Sequence, residues 1–273
     1  MRKSGLWRWA LYVLAAVITL LNVSPLIWVA LSSFKRRVEI FAMPPVWLPR
    51  TWAFDNFVML LQVHGHELAN TAVLTLASLL GSLALALPAA FALAVFRFKR
   101  KKDLEMWFLS TRMMPPVAAA IPLYLTLRSL NLLDTWFGLI IVYMSVGIPL
   151  IVWLTTPFMR DLSYEVIEAA LIDGCSWPQI FLRIVLPLTS GGIATAAIFN
   201  AIFAWNELLL PLFLTNRDAQ TFSVALTSFQ GQTEINWELM CAGAVIQILP
   251  IVLLTFLAQR YIVAGLTQGS VKG

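Results

Sequence analysis

Charge is scarce in this sequence. Lysine, arginine, aspartate and glutamate make up only 12% of its 273 residues, where soluble domains carry about 25%. Apolar residues reach 60%, and the mean hydropathy is +0.81. So little polar surface could not cover a water-soluble fold of this size, which points to a membrane protein. Cysteine is nearly absent too. Cys175 and Cys241 have no paired spacing, which leaves neither a disulfide framework nor a cysteine metal site to expect. No G-x-x-x-x-G-K-[ST] loop occurs, so the chain itself is not expected to bind or hydrolyse ATP. No nucleophile elbow or catalytic triad pattern supports a membrane-embedded enzyme. His64 and His66 with Glu67 lack a third-ligand pattern, so no metal is expected there. No internal period of about 20 to 50 residues suggests a solenoid.

Long apolar runs are what the sequence does have. A spanning helix needs about 20 apolar residues. Six windows qualify, at 9–31, 68–96, 106–127, 135–159, 188–214 and 239–259. In lipid the backbone must satisfy itself, so these are read as helices. The first is too long for the apolar core of a cleaved signal and is read as a retained helix. The expectation is an all-α integral membrane protein, a single domain of six transmembrane helices. The third window is interrupted by Arg112.

Lysine and arginine orient these spans. One set of loops holds twelve: Arg2, Lys3, Arg8, the five cations of "RFKRKK" (97–102), Arg160, Arg183, Arg260 and Lys272. The opposite set holds six: Lys35, Arg36, Arg37, Arg50, Arg128 and Arg217. The positive-inside rule then places both termini in the cytoplasm, with the long stretch 32–67 outside. A span on each side of "RFKRKK" argues against a nucleic-acid patch. Prolines recur in or near the spans, at Pro88, Pro115, Pro116, Pro122, Pro149 and Pro250. They fit simple bundle geometry or broken helices around a transport path.

The stretch "EAALIDGCSWPQIFLRIVLP", 168–187, interrupts the greasy pattern between the fourth and fifth windows. Ser163 reads as an N-cap, with Glu165 in the first turn where the helix dipole favours it. Tyr164, Ile167, Leu171 and Cys175 form one apolar stripe. Gly174 stands where a left-handed C-cap residue would. Ser176-Trp-Pro-Gln179 matches a capping box with Pro178 in the first turn, and a second short helix is expected to stop near Pro187. Two short helices joined by a glycine corner have too few residues for their own core. Their stripe should dock either on this chain's own spans or on a partner protein.

Here the sequence resembles a known family. The pattern E-A-A-x3-G-x9-I-x-L-P is met in full by Glu168, Ala169, Ala170, Gly174, Ile184, Leu186 and Pro187. It is the signature loop of membrane (permease) subunits of bacterial ABC importers that use a solute-binding protein. "FAWNELLLPLFLT", 203–215, and the tail "QRYIVAGLTQGSVKG", 259–273, look like the carbohydrate branch. In length and six-span layout the chain is similar to the second membrane subunit of the maltose transporter and its relatives. The resemblance implies that the insert, 160–187, is a cytoplasmic coupling helix seated in a separate ATPase subunit. It implies that the tail, 267–273, reaches the same ATPases. The implied partners are a second permease subunit, two ATP-binding subunits that hold ATP and magnesium, an extracytoplasmic solute-binding protein and membrane lipid. The implied place is the bacterial inner membrane, and the implied cargo is a sugar or sugar alcohol. A non-sugar solute is the alternative.

Polar residues within the spans are candidates for the substrate path, because charge in a bilayer is costly and usually faces the bundle interior or water. Arg112 is one, with a structural ion pair or a snorkelling side chain as the plainer reading. Asn200, Trp205, Asn206 and Glu207 supply the hydroxyl-pairing groups and the aromatic platform that a sugar needs. Asn200 and Trp205 are five residues apart and do not share one helix face cleanly.

Overall fold

The computed structural model describes residues 5–229 and 235–270, apart from the side chains at 5–7, 257, 258 and 260–270. Of the tail expected to make a contact, 267–273, the side chains at 267–270 and all of 271–273 lie outside what is described. Helices account for all the regular structure described. They are α1 (Gly5–Ser32), α2 (Arg37–Ile40), α3 (Asp55–Val95), α4 (Lys101–Met113), α5 (Pro116–Ser129), α6 (Trp136–Arg160), α7 (Tyr164–Ile172), α8 (Trp177–Ile180), a π-helical turn (Phe181–Val185), α9 (Leu186–Leu188), α10 (Ser190–Asn206), α11 (Leu209–Leu214), α12 (Phe222–Thr227) and α13 (Trp237–Ser270).

Four of them contain stretches long and apolar enough to cross a bilayer: Arg8–Ser32, Asp55–Val95, Trp136–Arg160 and Trp237–Phe256. A fifth crossing is available if Trp177–Leu188 and Ser190–Asn206, bent by 79°, count together. The window expected as the third span, 106–127, is divided between α4 and α5. Two consecutive prolines explain the break. A residue before proline avoids the α region, and Met114 and Pro115 are both extended, with ψ of 126° and 127°. Pro88, Pro122, Pro149 and Pro250, by contrast, lie within continuous helices. The stretch expected to be loop through residue 67 is helical from Asp55. The 41 residues of α3 are two helical segments that meet at a break. His64, with φ −119° and ψ 20°, kinks the helix.

The chain divides into two compact units, Met1–Gly65 with Leu226–Leu249 and His66–Ala225 with Pro250–Gly273. In the first, the loop after α1 is braced by Asn56 at the start of α3 and by its own Lys35. Asn56 Nδ2 donates to the carbonyls of Ser33 and Lys35 at 2.8 and 3.1 Å. Lys35 is buried, donating to Val46 O at 2.8 Å and lying 4.1 Å from the centroid of the Trp28 ring. Burial pushes its ammonium pKa down, although nearby Glu39 opposes the shift.

In the second unit, α6 packs against α4 and α10, and α11 packs against α5. Buried Ala86 and Leu93 of α3, Ile151 and Val152 of α6, and Ala196 of α10 share one apolar core. A stripe of small hydroxyls on α3 (Thr71, Thr75, Ser78 and Ser82) is also buried. Small residues let helices approach closely where lipid supplies no hydrophobic drive. At Gly147 of α6 the approach is tight. A Cβ there would stand 2.6 Å from Asn200 Oδ1 and 2.8 Å from Ser82 Oγ.

Candidate functional site

Two places in the second unit combine chemistry with geometry: the elbow after α6 and a cavity among α4, α5, α6, α10 and α11.

The elbow forms for local reasons. Ser163 precedes α7 with extended ψ, but its side chain makes no cap hydrogen bond. The far end of α7 is closed by a Schellman motif. Gly174 N donates to Leu171 O at 3.1 Å and Cys175 N to Ala170 O at 3.0 Å. This requires a left-handed residue, and Gly174 has φ +80° with open space around its Cα. Gln179 Oε1 then accepts from Ser176 N at 2.8 Å, which starts α8. The helix passes through the π turn, which contains Ile184, and then Leu186 and Pro187. It ends at Leu188, and Thr189 bends the chain into α10.

The elbow has two unlike faces. Ile167, Ala170, Ile180 and Val185 are buried against Ala90 and Phe91 of α3 and Met159 of α6. Trp177 and Phe181 stack around Phe91, with centroids at 6.4 and 5.3 Å. The other face is bare. Glu168, Ala169, Gly174 and Pro187 are exposed, as are Tyr164, Leu182 and Ile172, the last at 86%. The inner face therefore docks on this chain's own helices, while the outer face carries apolar surface that nothing among the described residues covers. Of the expected stripe, Ile167 is fully inside and Tyr164 outside.

The cavity has a volume of about 680 Å³, within the range of small-molecule sites. It brings together three residues that the sequence singled out, Arg112, Asn200 and Glu207. The helix break leaves Arg112 in the last turn of α4, where the macrodipole favours a cation. Its guanidinium donates to Val146 O at 3.5 Å and lies 5.4 Å from the Phe203 ring centroid. No described carboxylate forms an ion pair with it. Glu207 Oε1 accepts from Leu210 N at 3.1 Å, at the start of α11. Trp205 and Asn206 do not line the cavity. Trp205 is buried, and Asn206 turns its amide back onto Ile202 O at 2.8 Å.

The cavity also contains residues that sequence reasoning missed. Tyr143 is buried on the α6 wall, and its hydroxyl has no hydrogen-bond partner among the described residues. Trp107 and Phe203 add aromatic faces. The available signal was the phenol of Tyr143 within an otherwise apolar run, because a buried hydroxyl usually finds a partner.

Residues 82–268 match the family described as binding-protein-dependent transport system inner membrane component. The diacetylchitobiose uptake system permease protein DasC of Streptomyces coelicolor is 32% identical, over 96% of this chain and 96% of that protein. The trehalose transport system permease protein SugB of Mycobacterium tuberculosis is 34% identical, over 91% of this chain and 92% of that protein. Among solved structures, a bacterial ABC transporter involved in the import of the acidic polysaccharide alginate shares the fold. Its TM-score is 0.80 at 22% identity, covering 96% of this chain and 98% of that one.

Proposed function

This chain belongs to the binding-protein-dependent transport system inner membrane component family, and from that premise we propose that it is the permease subunit of an ABC importer for a sugar or sugar alcohol. It is a multi-pass inner membrane protein that transports rather than catalyses. The carbohydrate reading draws on the diacetylchitobiose and trehalose permeases, similar over nearly their whole length. Six crossings follow if the bent pair ending in α10 makes one span and α4 and α5 together make another. The twelve-to-six lysine and arginine count puts both termini, and the elbow, in the cytoplasm.

The observation that carries the mechanism is the two-faced elbow. Its inner side is fixed to the ends of α3 and α6, so a push on its bare outer side moves those helices with it. We assign that outer side to a separate ATPase subunit, which binds ATP and magnesium. Glu168 and Ala169 stand on this face. Gly174 sets the corner, Ala170, Ile184 and Leu186 seat the elbow on the spans, and Pro187 stands exposed near its end. A second permease subunit, a second ATPase and an extracytoplasmic solute-binding protein complete the assembly. The cavity is the proposed contact with solute. Arg112, Asn200 and Glu207 offer hydrogen bonds, and Trp107 and Phe203 supply aromatic faces on which a sugar ring can stack. Trp205 and Asn206 belong to the same stretch of the path but stand outside the cavity.

The test is Gly174→Asp in the assembled complex in vesicles. A left-handed aspartate costs about 1 kcal/mol, the low end for a non-glycine residue, enough to disfavour the corner about fivefold. ATP hydrolysis should persist while uptake falls by about that factor. Uptake at the wild-type rate would remove the elbow from the coupling path. A binding screen on the cognate solute-binding protein tests the cargo, and a preference for a non-sugar solute would overturn the carbohydrate reading.

A further inference from the structure

The densest positive charge outside these two places is the turn from α3 to α4. Five of the six residues in "RFKRKK", 97–102, are cations. Their side chains divide in role. Lys101 turns inward and donates to Phe96 O at 3.2 Å, closing the carbonyl end of α3. Arg97, Lys99, Arg100 and Lys102 are exposed, and none has a side-chain partner among the described residues. Asp103 is the one acid beside them, since Glu105 is held by Arg160 at 2.7 Å.

The turn also gives these charges a shape. Arg100 adopts a left-handed conformation with φ 63°, an unfavourable one for a long side chain. It folds the run around a groove of about 520 Å³ lined by Arg97, Phe98, Arg100, Lys101, Lys102 and Asp103. Phe98, 42% exposed, projects among the cations. Charge that served only to orient the chain during insertion would need neither a shared groove nor an aromatic within it. The groove begins directly after the apolar stretch 68–96 ends, so it sits at headgroup depth on whichever side that stretch emerges. Unpaired cations around an apolar side chain at that depth match an anionic phosphate with a glycerol backbone beneath it.

We propose that the α3–α4 turn is a binding site for acidic phospholipid headgroups, with Arg97 and Arg100 as its principal cations. The site is separate from the sugar cavity and adjoins the elbow through Phe96, whose ring lies 4.7 Å from that of Trp177.

The experiment uses the assembled complex in nanodiscs of phosphatidylcholine, alone or mixed equally with phosphatidylglycerol. Native mass spectrometry counts retained lipids and subunits, and a phosphatidylglycerol titration gives the affinity. Each surface cation is worth about fivefold toward an acidic membrane, so R97Q/R100Q should weaken phosphatidylglycerol binding at least about tenfold. The R97K/R100K variant should restore most of it. Raising salt should weaken the wild-type complex in the same way, which keeps a readout if the glutamine variant folds poorly. Unchanged phosphatidylglycerol retention in R97Q/R100Q would overturn the site. So would loss of an ATPase subunit with lipid retention intact, which would mark a protein interface. Displacement by inorganic phosphate, beyond that by chloride at equal ionic strength, would mark a free-anion site and overturn it as well.

Discussion

At the scale of single residues, two positions separate packing from transport. Gly147 of α6 lies tight against α3 and α10, and even a methyl would meet Asn200 Oδ1 at 2.6 Å and Ser82 Oγ at 2.8 Å. Both Asn200 and Ser82 are buried, and Ser82 has no open space into which it could turn away. Gly147→Ala should therefore cost about 1–3 kcal/mol by overpacking, read as a lower melting temperature of the purified complex. An unchanged melting temperature would mean that α10 can slide on α6. Tyr143 should behave in the opposite way. Its hydroxyl is buried without a partner among the described residues, and removing an unsatisfied polar atom is neutral or stabilising. Tyr143→Phe should leave the melting temperature unchanged or raised. If the hydroxyl meets the solute, the apparent KM for uptake should rise about two- to twelvefold, the worth of one net hydrogen bond. An unaltered KM would remove Tyr143 from the solute contact.

At the scale of elements, local features were legible in the sequence and distant ones were not. The elbow was readable because its determinants lie within a turn of one another: Gly174 closes α7 and Gln179 starts α8. The apolar runs were readable because hydropathy needs no partner. The start of α3 was missed because 55–67 mixes polar and apolar residues. The Pro115–Pro116 break was present as a proline pair, but its consequence, Arg112 at a helix end facing a cavity, depends on which faces of five helices converge. The loop after α11 is the clearest non-local case. Asp134 accepts backbone N–H bonds from Asn216, Arg217, Asp218 and Ala219, at 2.9 to 3.1 Å across more than 80 residues of sequence. Asn70 holds the same loop from α3 through the carbonyls of Asp218 and Gln220. Burial pushes the Asp134 carboxyl up, but the four donors outweigh it and hold the group below the usual carboxylate range. A depressed folded-state pKa contributes stability above the unfolded value of about 4 and loses it as pH falls through the folded one. Asp134→Asn should cost about 1–2 kcal/mol near neutral pH, because charge-assisted bonds are replaced and one donor now faces donors. The deficit relative to wild type should shrink in acid, below about pH 4. A deficit that stays constant across that range would show that the carboxylate charge is not what anchors the loop.

At the scale of the whole molecule, the proposed assembly puts fuel and path on different chains, and the elbow is where they would meet. That arrangement makes a claim about sidedness which labelling can check. Ile172, beside the corner, is 86% exposed, whereas Ile167 on the same helix is 2% exposed and packed on α3 and α6. With Cys175 and Cys241 replaced by alanine, Ile172→Cys should react with a membrane-impermeant maleimide in inside-out vesicles and not in right-side-out ones. Ile167→Cys should resist in both. Adding the ATPase subunits should then slow labelling of Ile172→Cys by about tenfold or more, as burial at a stable interface excludes the reagent. Reaction only from the outer side would invert the topology and place the twelve-cation loops outside, against the positive-inside rule. Reaction on the inner side at an undiminished rate in the full assembly would leave the topology standing. It would move the ATPase contact off the bare face of the elbow, to a surface that does not share the core of α3 and α6.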